Sequence, residues 1–414
     1  IPSSVTSIEP ETFSSCRGIK QITIPSSVTS IGYKAFALCT RLAEITISSS
    51  VTTIGESAFS SCWALTQIRI PSSVTSIGYA VFSGCTNLES FIVDPDNPAY
   101  VSLDGILFTK DLRTIIAYQS KKTNLTYTIP SSVTTIGNEA FSNCDSLTQV
   151  IIPESVTSIG SMTFSKCRSL EQVTIPSSVT SIGDAAFSNC TNLHSIVVDP
   201  NNPNYVSLDG VLFAKDFRTV ICYPSAKELV SYALPSSVMT IGQNAFSNCK
   251  SLARITIPSS VTSIQDNAFK DSNSLTEITI PSSVASIGNY AFSSCYSLVQ
   301  ITIPSSVTSI GEFAFFGCYS LKQVIMESAI LSIENSLFLA CKSLVRIAIP
   351  SSVTSIGDSA FSDCISLTQI EIPSSVISIG KSAFNKCQSL TQITIPTSVT
   401  SIGDKAFFDC KLLS

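Results

Sequence analysis

The sequence predicts an α/β solenoid, and three observations predict it. One apolar pattern returns every 23 residues over most of the chain, marked by Val28, Val51 and Val74 and again by Val261, Val284 and Val307. Each copy holds a short alternation such as Ile45-Thr46-Ile47, which reads as a strand with one face in and one face out. Most copies close on Ala-Phe-x-x-Cys, as at Ala58, Phe59 and Cys62. A fixed period of about 20–29 residues with L-x-x-I-x-I spacing is the signature of a leucine-rich-repeat coil stacked on itself. The prediction is therefore a right-handed leucine-rich-repeat horseshoe. Its parallel sheet lies on the concave face and short helical turns lie on the convex face.

The elements of one coil follow in order. Pro succeeds the strand in most copies (Pro25, Pro71, Pro130, Pro176), where its missing N–H ends the ladder. Ser-Ser-Val carries the chain over the rim. Gly32, Gly55 and Gly78 mark a bend that needs positive φ or close approach. In Ala-Phe-x-x-Cys the residues Ala58, Phe59 and Cys62 stand in i, i+3 and i+4 relations, which fits one or two helical turns. Three positions after each Val slot stands Ile, and eight positions after it stands Phe, from Phe13 to Phe407. One environment is rebuilt coil after coil.

The whole span 1–414 reads as a single solenoid with two longer variant units, at about 89–129 and 194–234. Asp94-Pro95-Asp96-Asn97-Pro98 and Asp199-Pro200-Asn201-Asn202-Pro203 are turn chemistry. Asp104-Gly105 and Asp209-Gly210 predict hairpin turns. Ile115-Ile116-Ala117 and Val220-Ile221-Cys222 are expected to rejoin the main sheet, with the inserts protruding at the rim.

Composition narrows the function. Only 13% of residues are charged and the net charge is −5, which argues against nucleic acid, since that partner asks for a basic stripe. No stretch approaches the roughly 18 unbroken apolar residues of a membrane span. The chain opens at Ile1 inside a repeat and stops just after Leu413 reopens the motif, which reads as a piece of a longer protein. Fourteen of the fifteen cysteines share one slot, which Ser272 takes once, and Cys222 is the exception. Equivalent positions point the same way, against the facing Cβ vectors of a disulfide, so a ladder of small buried thiols is expected. Zinc needs four converging ligands, and His194 is the only histidine. Asp94, Asp96 and Asp104 lack the calcium-loop order and suffice as turn residues. No catalytic residue, metal or cofactor is expected.

Function is expected on the outward sheet slots. Threonine fills most of them, as at Thr23, Thr46 and Thr256, and threonine suits an exposed strand. The departures are more informative: Arg69, Ile151, Arg254, Glu277, Ile325, Arg346 and Glu371. Arginine beside apolar neighbours is hot-spot chemistry, and concave solenoid faces are common binding surfaces.

The motif I-P-x-S-V-x-x-I-G-x-x-A-F-x-x-C-x-x-L resembles the BspA-like, or Treponema pallidum type, class of leucine-rich repeats. Pro71 to Val74, Ile77, Gly78, Phe82, Cys85 and Leu88 carry the resemblance, and regular units repeat it along the whole chain. Asn97 to Tyr100 and Asp104 to Phe108, with Asn202 to Tyr205 and Asp209 to Phe213, resemble variant units of the same family. The resemblance implies an extracellular or cell-surface protein without shared catalytic residues, in a family where some members are adhesins. The leading expectation is therefore an adhesion or recognition module for a protein ligand, such as extracellular matrix or another cell surface. A self-assembling structural solenoid and a carbohydrate-binding surface are the alternatives.

Overall fold

The computed structural model describes residues 1–414, which gather into two compact units, Ile1–Val206 and Ser207–Ser414. Both are wound from the same coil.

A coil begins with the predicted strand. Glu44–Thr46 is exposed, buried and exposed in turn, and it pairs in parallel with Gln21–Thr23, Ile22 against Ile45. In the second unit such strands, from Ser231–Ala233 to Gln392–Thr394, form one eight-stranded sheet. Past the strand the Val28 N–H donates back to the Pro25 carbonyl at 3.1 Å, closing a tight corner. The second serine of Ser-Ser-Val ties that corner to the coil before it. Ser50 Oγ donates to the Val28 carbonyl and Ser73 Oγ to the Val51 carbonyl, both at 2.7 Å.

A second parallel ladder follows, two residues per coil: Ser30–Ile31, Thr53–Ile54 and Ser76–Ile77 pair in sequence. Of the two reasons for glycine, close approach is the operative one. Neither Gly55 nor Gly78 has a left-handed φ, but a Cβ on Gly55 would meet the Gly32 carbonyl carbon at 2.7 Å, and one on Gly78 the Glu56 nitrogen at 2.4 Å.

The expected convex helical turns do not form, and the molecule is a β-solenoid without helices. Lys34 and Leu38 sit at φ +50° and +59°, and Ser57 and Ser61 at +55° and +58°. A left-handed residue at every fourth position interrupts the αR run, so no i→i−4 ladder can propagate. Alternate amides divide their bonds instead. The N–H groups of Lys34, Phe36 and Leu38 donate to Glu56, Ala58 and Ser60 of the next coil at 2.9, 2.8 and 2.8 Å. Those of Ala35, Ala37 and Cys39 donate back three residues, at 3.2, 3.0 and 3.2 Å. The left-handed conformation costs a non-glycine residue about 1–2 kcal/mol, and the inter-coil bond offsets it.

Between the ladders lies an aromatic column. Phe13, Phe36, Phe59 and Phe82 stack with centroids 5.1, 5.5 and 6.0 Å apart. In the second unit Phe246 begins a stack that runs through Phe269, Phe292 and Phe315 to Phe407.

All fifteen cysteines are free; Cys16, Cys222 and Cys410 are half-buried and the others buried. In the ladder slot the thiol donates to the phenylalanine carbonyl of the preceding coil: Cys62 to Phe36 at 3.2 Å, Cys85 to Phe59 at 3.1 Å, Cys318 to Phe292 at 3.1 Å. Ser272 donates to Phe246 in the same way, which explains why the slot accepts serine. Burial pushes the Cys85 and Cys318 thiols up to about 12, which suppresses the reactive thiolate at neutral pH. Two outcomes follow. Maleimide should modify only Cys16 and Cys410 in the native protein, Cys222 staying slow because burial pushes its thiol up to about 12 as well, and the other thiols reacting after denaturation; more fast thiols would contradict the buried ladder. Cys318→Ser should cost about 1 kcal/mol or less in urea unfolding, since the hydroxyl inherits the bond.

The variant segment of the first unit departs from expectation in two ways. Tyr100–Leu103 and Ile106–Thr109 do form a hairpin, with Asp104 and Gly105 at φ +50° and +77° in its two-residue turn. The hairpin is wedged into the core and does not protrude. Ile106, Leu107 and Phe108 are buried, and the Phe91 N–H of the main ladder donates to the Gly105 carbonyl at 3.2 Å. A run of three apolar residues buries both faces of its strand. Moreover, Thr114–Ala117 joins the second ladder, Ile115 against Ile136, and Thr219–Cys222 does the same, Val220 against Ile241. The strands that return to the main ladder are Thr126–Thr128 and Ser231–Ala233. Tyr118 and Tyr223 then take the phenylalanine slot, stacking on Phe141 at 5.0 Å and on Phe246 at 5.1 Å.

The turn Asp94 to Tyr100 is held from within. Fully buried Asn97 donates its amide to the carbonyls of Pro71 and Val74 at 2.7 and 2.9 Å. Its Oδ1 accepts from the N–H groups of Ala99 and Tyr100, both at 2.8 Å. The Tyr100 hydroxyl accepts the Ile77 N–H at 2.8 Å, where a regular coil would offer a carbonyl. Asn202 and Tyr205 repeat the arrangement, with Asn202 bonded to Pro176 and Val179 and the Tyr205 hydroxyl bonded to Ile182.

Candidate functional site: the outward sheet face

The strand alternation aims the seven candidate residues to one side of their ladders, and register decides which of them meet. In the second unit Arg254 lies opposite Glu277, and Arg346 opposite Gln369. Ile325 lies opposite Thr302, and Glu371 opposite Ala348.

Three candidates converge. Ile325, Arg346 and Glu371 line one depression of about 440 Å³, whose floor includes Met326, Ile347, Ala348 and Ile370. The depression forms where a large side chain and a small one are neighbours, Ile325 standing two strands from Glu371 with Ala348 between them. It offers a cation, a carboxylate and an apolar surface within three consecutive strands. Glu277 borders a second depression of about 400 Å³ with Thr279, Val299 and Thr302.

Arg254 and Glu277 form an ion pair at 3.6 Å with side chains 72% and 70% exposed. Such a pair adds little stability, about 0–1 kcal/mol, so its charges stay available to a partner. Arg69 and Ile151 lie in the first unit on separate ladders, Arg69 opposite Ile92 and Ile151 opposite Thr128. The structure does not bring these two together. Ile151 is 45% exposed and shares the outward row of its sheet with Thr128, Thr174 and the exposed Val197.

Met326 belongs to the depression and was missed in the sequence. The signal was present, because its strand reads Val-Ile-Met and Glu327 stands where most coils place Pro. Exposed aromatics sit off the strands in both units, as at Tyr33, Trp63 and Tyr79 in the first and Tyr296 and Tyr319 in the second. Tyr290 stacks on Phe313 and Tyr296 on Tyr319, both at 4.8 Å. Lys270 and Lys342 lie over the Tyr290 and Tyr319 rings at 5.3 and 4.6 Å, which covers one face of each. No group of three or more His, Cys, Asp or Glu side chains is placed to hold a metal ion. No helix is long and apolar enough to cross a membrane.

The parallel ladders, the corner turns and the 23-residue coil define a solenoid of leucine-rich-repeat type. The model of the BspA type leucine rich repeat region matches residues 1–102, 113–212, 221–345 and 309–414, and the chain belongs to that family. Among solved structures it is similar to a leucine-rich repeat protein from Eubacterium ventriosum, at 27% identity and TM-score 0.50, over 94% of this chain and 90% of that one. It is also similar to a leucine rich cell surface protein from Faecalibacterium prausnitzii, at 30% identity and TM-score 0.42, over 93% and 87%. A third likeness is to the pneumococcal vaccine antigen PcpA, at 22% identity and TM-score 0.44, over 97% and 85%. A search among curated proteins finds no match.

Proposed function

We propose that the chain is a non-catalytic recognition module of a cell-surface or secreted protein, and that its outward sheet face adheres to a protein ligand on a matrix or another cell. The observation that carries this reading is the depression holding Ile325, Arg346 and Glu371 together. An arginine beside exposed apolar surface is the composition from which interface hot spots are built. Arg254 and Glu277 extend the charged strip toward earlier strands of the same sheet, while Arg69 and Ile151 are proposed as secondary contacts. Membership of a BspA-type repeat family supports both the protein-binding role and the surface location.

Immobilised matrix proteins and whole cells, probed with the wild-type chain and with Arg254→Ala and Arg346→Ala, test the reading. A protein ligand whose capture weakens in the Arg346 variant is the expected result. Unchanged capture in both variants would sink the sheet-face assignment. Absence of any ligand, together with a mass in solution that grows with concentration, would replace it with self-assembly.

A further inference from the structure

In the first unit the coil containing Ile77 to Gly84 and the coil containing Thr114 to Ser120 part on the turn side. They leave a crevice of about 370 Å³ lined by Ile77, Tyr79, Phe82, Ile116, Tyr118 and Ser142 among others. Two things that run unbroken through neighbouring coils stop here. The first is the phenylalanine column. Phe82 stacks on Phe59 but then meets Phe91 edge-on at 65°, and a stacked column resumes only with Tyr118 on Phe141. The second is the inter-coil amide row. Ser57, Phe59 and Ser61 donate to Tyr79, Val81 and Ser83 at 2.9, 3.0 and 2.7 Å. The corresponding N–H groups one coil later, on Ala80, Phe82 and Gly84, meet no carbonyl. Phe82 and Gly84 are buried residues, and an unpartnered amide in such a place is costly. The cause lies in the variant unit. Its hairpin wedges between the coils, and the Tyr100 hydroxyl already occupies the Ile77 N–H.

We infer that this crevice takes an extended peptide segment of a partner protein, whose carbonyls pair with the amides of Ala80, Phe82 and Gly84 as one more rung of the solenoid. The donors alternate along the chain, and in every regular coil the same row is met by alternate peptide carbonyls. Addition of a peptide backbone to an open ladder edge is a recurring recognition mode. The apolar surface of Ile77, Phe82 and Ile116 gives one side chain of the segment a place to bury. The lining contains no Lys or Arg and has one carboxylate, Glu139, so the donor row suits neutral carbonyls better than a phosphate or another anion. This groove is separate from the sheet-face depression and does not depend on it.

Amide hydrogen exchange on the full chain, with a capped heptapeptide of the sequence of residues 55–61 as probe, tests the inference. Exchange at Ala80, Phe82 and Gly84 should be fast in the free protein compared with Ser57, Phe59 and Ser61. Saturating peptide should slow it at least tenfold, which corresponds to about 1.4 kcal/mol. Ile116→Trp, which fills the crevice, should abolish that slowing and leave the other amides unchanged. Ser120→Trp provides a second obstruction should the first variant fold poorly. The inference is overturned if the three amides are already protected without peptide, or if they stay fast with it. It is equally overturned if inorganic phosphate slows them as much, or if both tryptophan variants keep the peptide effect.

Discussion

Phe292→Ala should lower the unfolding free energy by about 3–5 kcal/mol, the range for truncating a fully buried phenylalanine. Phe292 is fully buried and is stacked on both sides, on Phe269 at 5.2 Å and on Phe315 at 5.5 Å. Its neighbours cannot close the void, because inter-coil hydrogen bonds fix the spacing of the coils on both sides. The Phe292 N–H donates to the Ala314 carbonyl and the Phe269 N–H to the Ala291 carbonyl, at 2.8 and 2.7 Å. Phe407 provides the internal comparison, since it is half-buried and stacks on Phe384 alone. Phe407→Ala should therefore cost clearly less. Urea unfolding of both variants measures the difference, and equal losses would mean that the column is not a cooperative element. A chain of stacked coils need not unfold in one step, so the comparison should use the transition in which the second unit melts.

Asn97→Ala should be as damaging, although the side chain is small. Asn97 makes four hydrogen bonds from a fully buried position: two donated to Pro71 and Val74, two accepted from Ala99 and Tyr100. Truncation leaves the Val74 carbonyl and the N–H groups of Ala99 and Tyr100 without that partner, while the Pro71 carbonyl keeps the Val74 N–H at 3.2 Å. At about 1–3 kcal/mol for each group left buried and unpaired, with partial relaxation, a loss of about 3–6 kcal/mol is expected. Asn97→Asp sharpens the test through pH. The carboxylate would face two carbonyls where the amide donated, which raises its folded-state pKa above the unfolded value of about 3.9. A raised folded pKa makes the variant most stable below the unfolded value and progressively less stable as pH rises through the folded one. Melting of Asn97→Asp at pH 4 and pH 7 should show a larger deficit relative to the wild type at pH 7. A deficit independent of pH would show that the amide donors are not what holds the turn.

The coil was legible because its chemistry is written many times over. The slots of Val51, Ile54, Phe59 and Cys62 recur, and each is a buried position. What misled was the turn side. Ala58, Phe59 and Cys62 stand in helical relations, but alternating left- and right-handed turns place them on one face equally well. Some residues that carry the positive φ, such as Lys34, Leu38 and Phe313, do not announce it, but the slot before the cysteine holds Gly84, Asn143, Asn248, Asp271 and Gly317, an unread sign of the left-handed turn. The variant segment divides in the same way. Asp104-Gly105 declared its hairpin, and the unbroken apolar run Ile106-Leu107-Phe108 held an unread sign that the hairpin is buried. Asn97 and Asn202 read only as turn formers, because their four bonds reach coils that are contiguous in space and not in sequence. At the candidate site, alternation identified the outward slots. Which of them share a depression depended on side-chain volumes at Met326 and Ala348 in neighbouring strands, a property of the stacked sheet and of no single coil.

If scaffold slots and recognition slots are separate, Arg346→Glu should change binding and leave stability alone. Its side chain is exposed on Arg346–Ala348 and makes none of the inter-coil contacts that hold the ladder. Affinity for the protein ligand and melting temperature should be measured on the same preparation. The prediction is a loss of affinity of at least about tenfold, or 1.4 kcal/mol, with a melting temperature within about 2 °C of the wild type, as for a surface substitution worth under 0.5 kcal/mol. Unchanged affinity with unchanged melting would contradict the account.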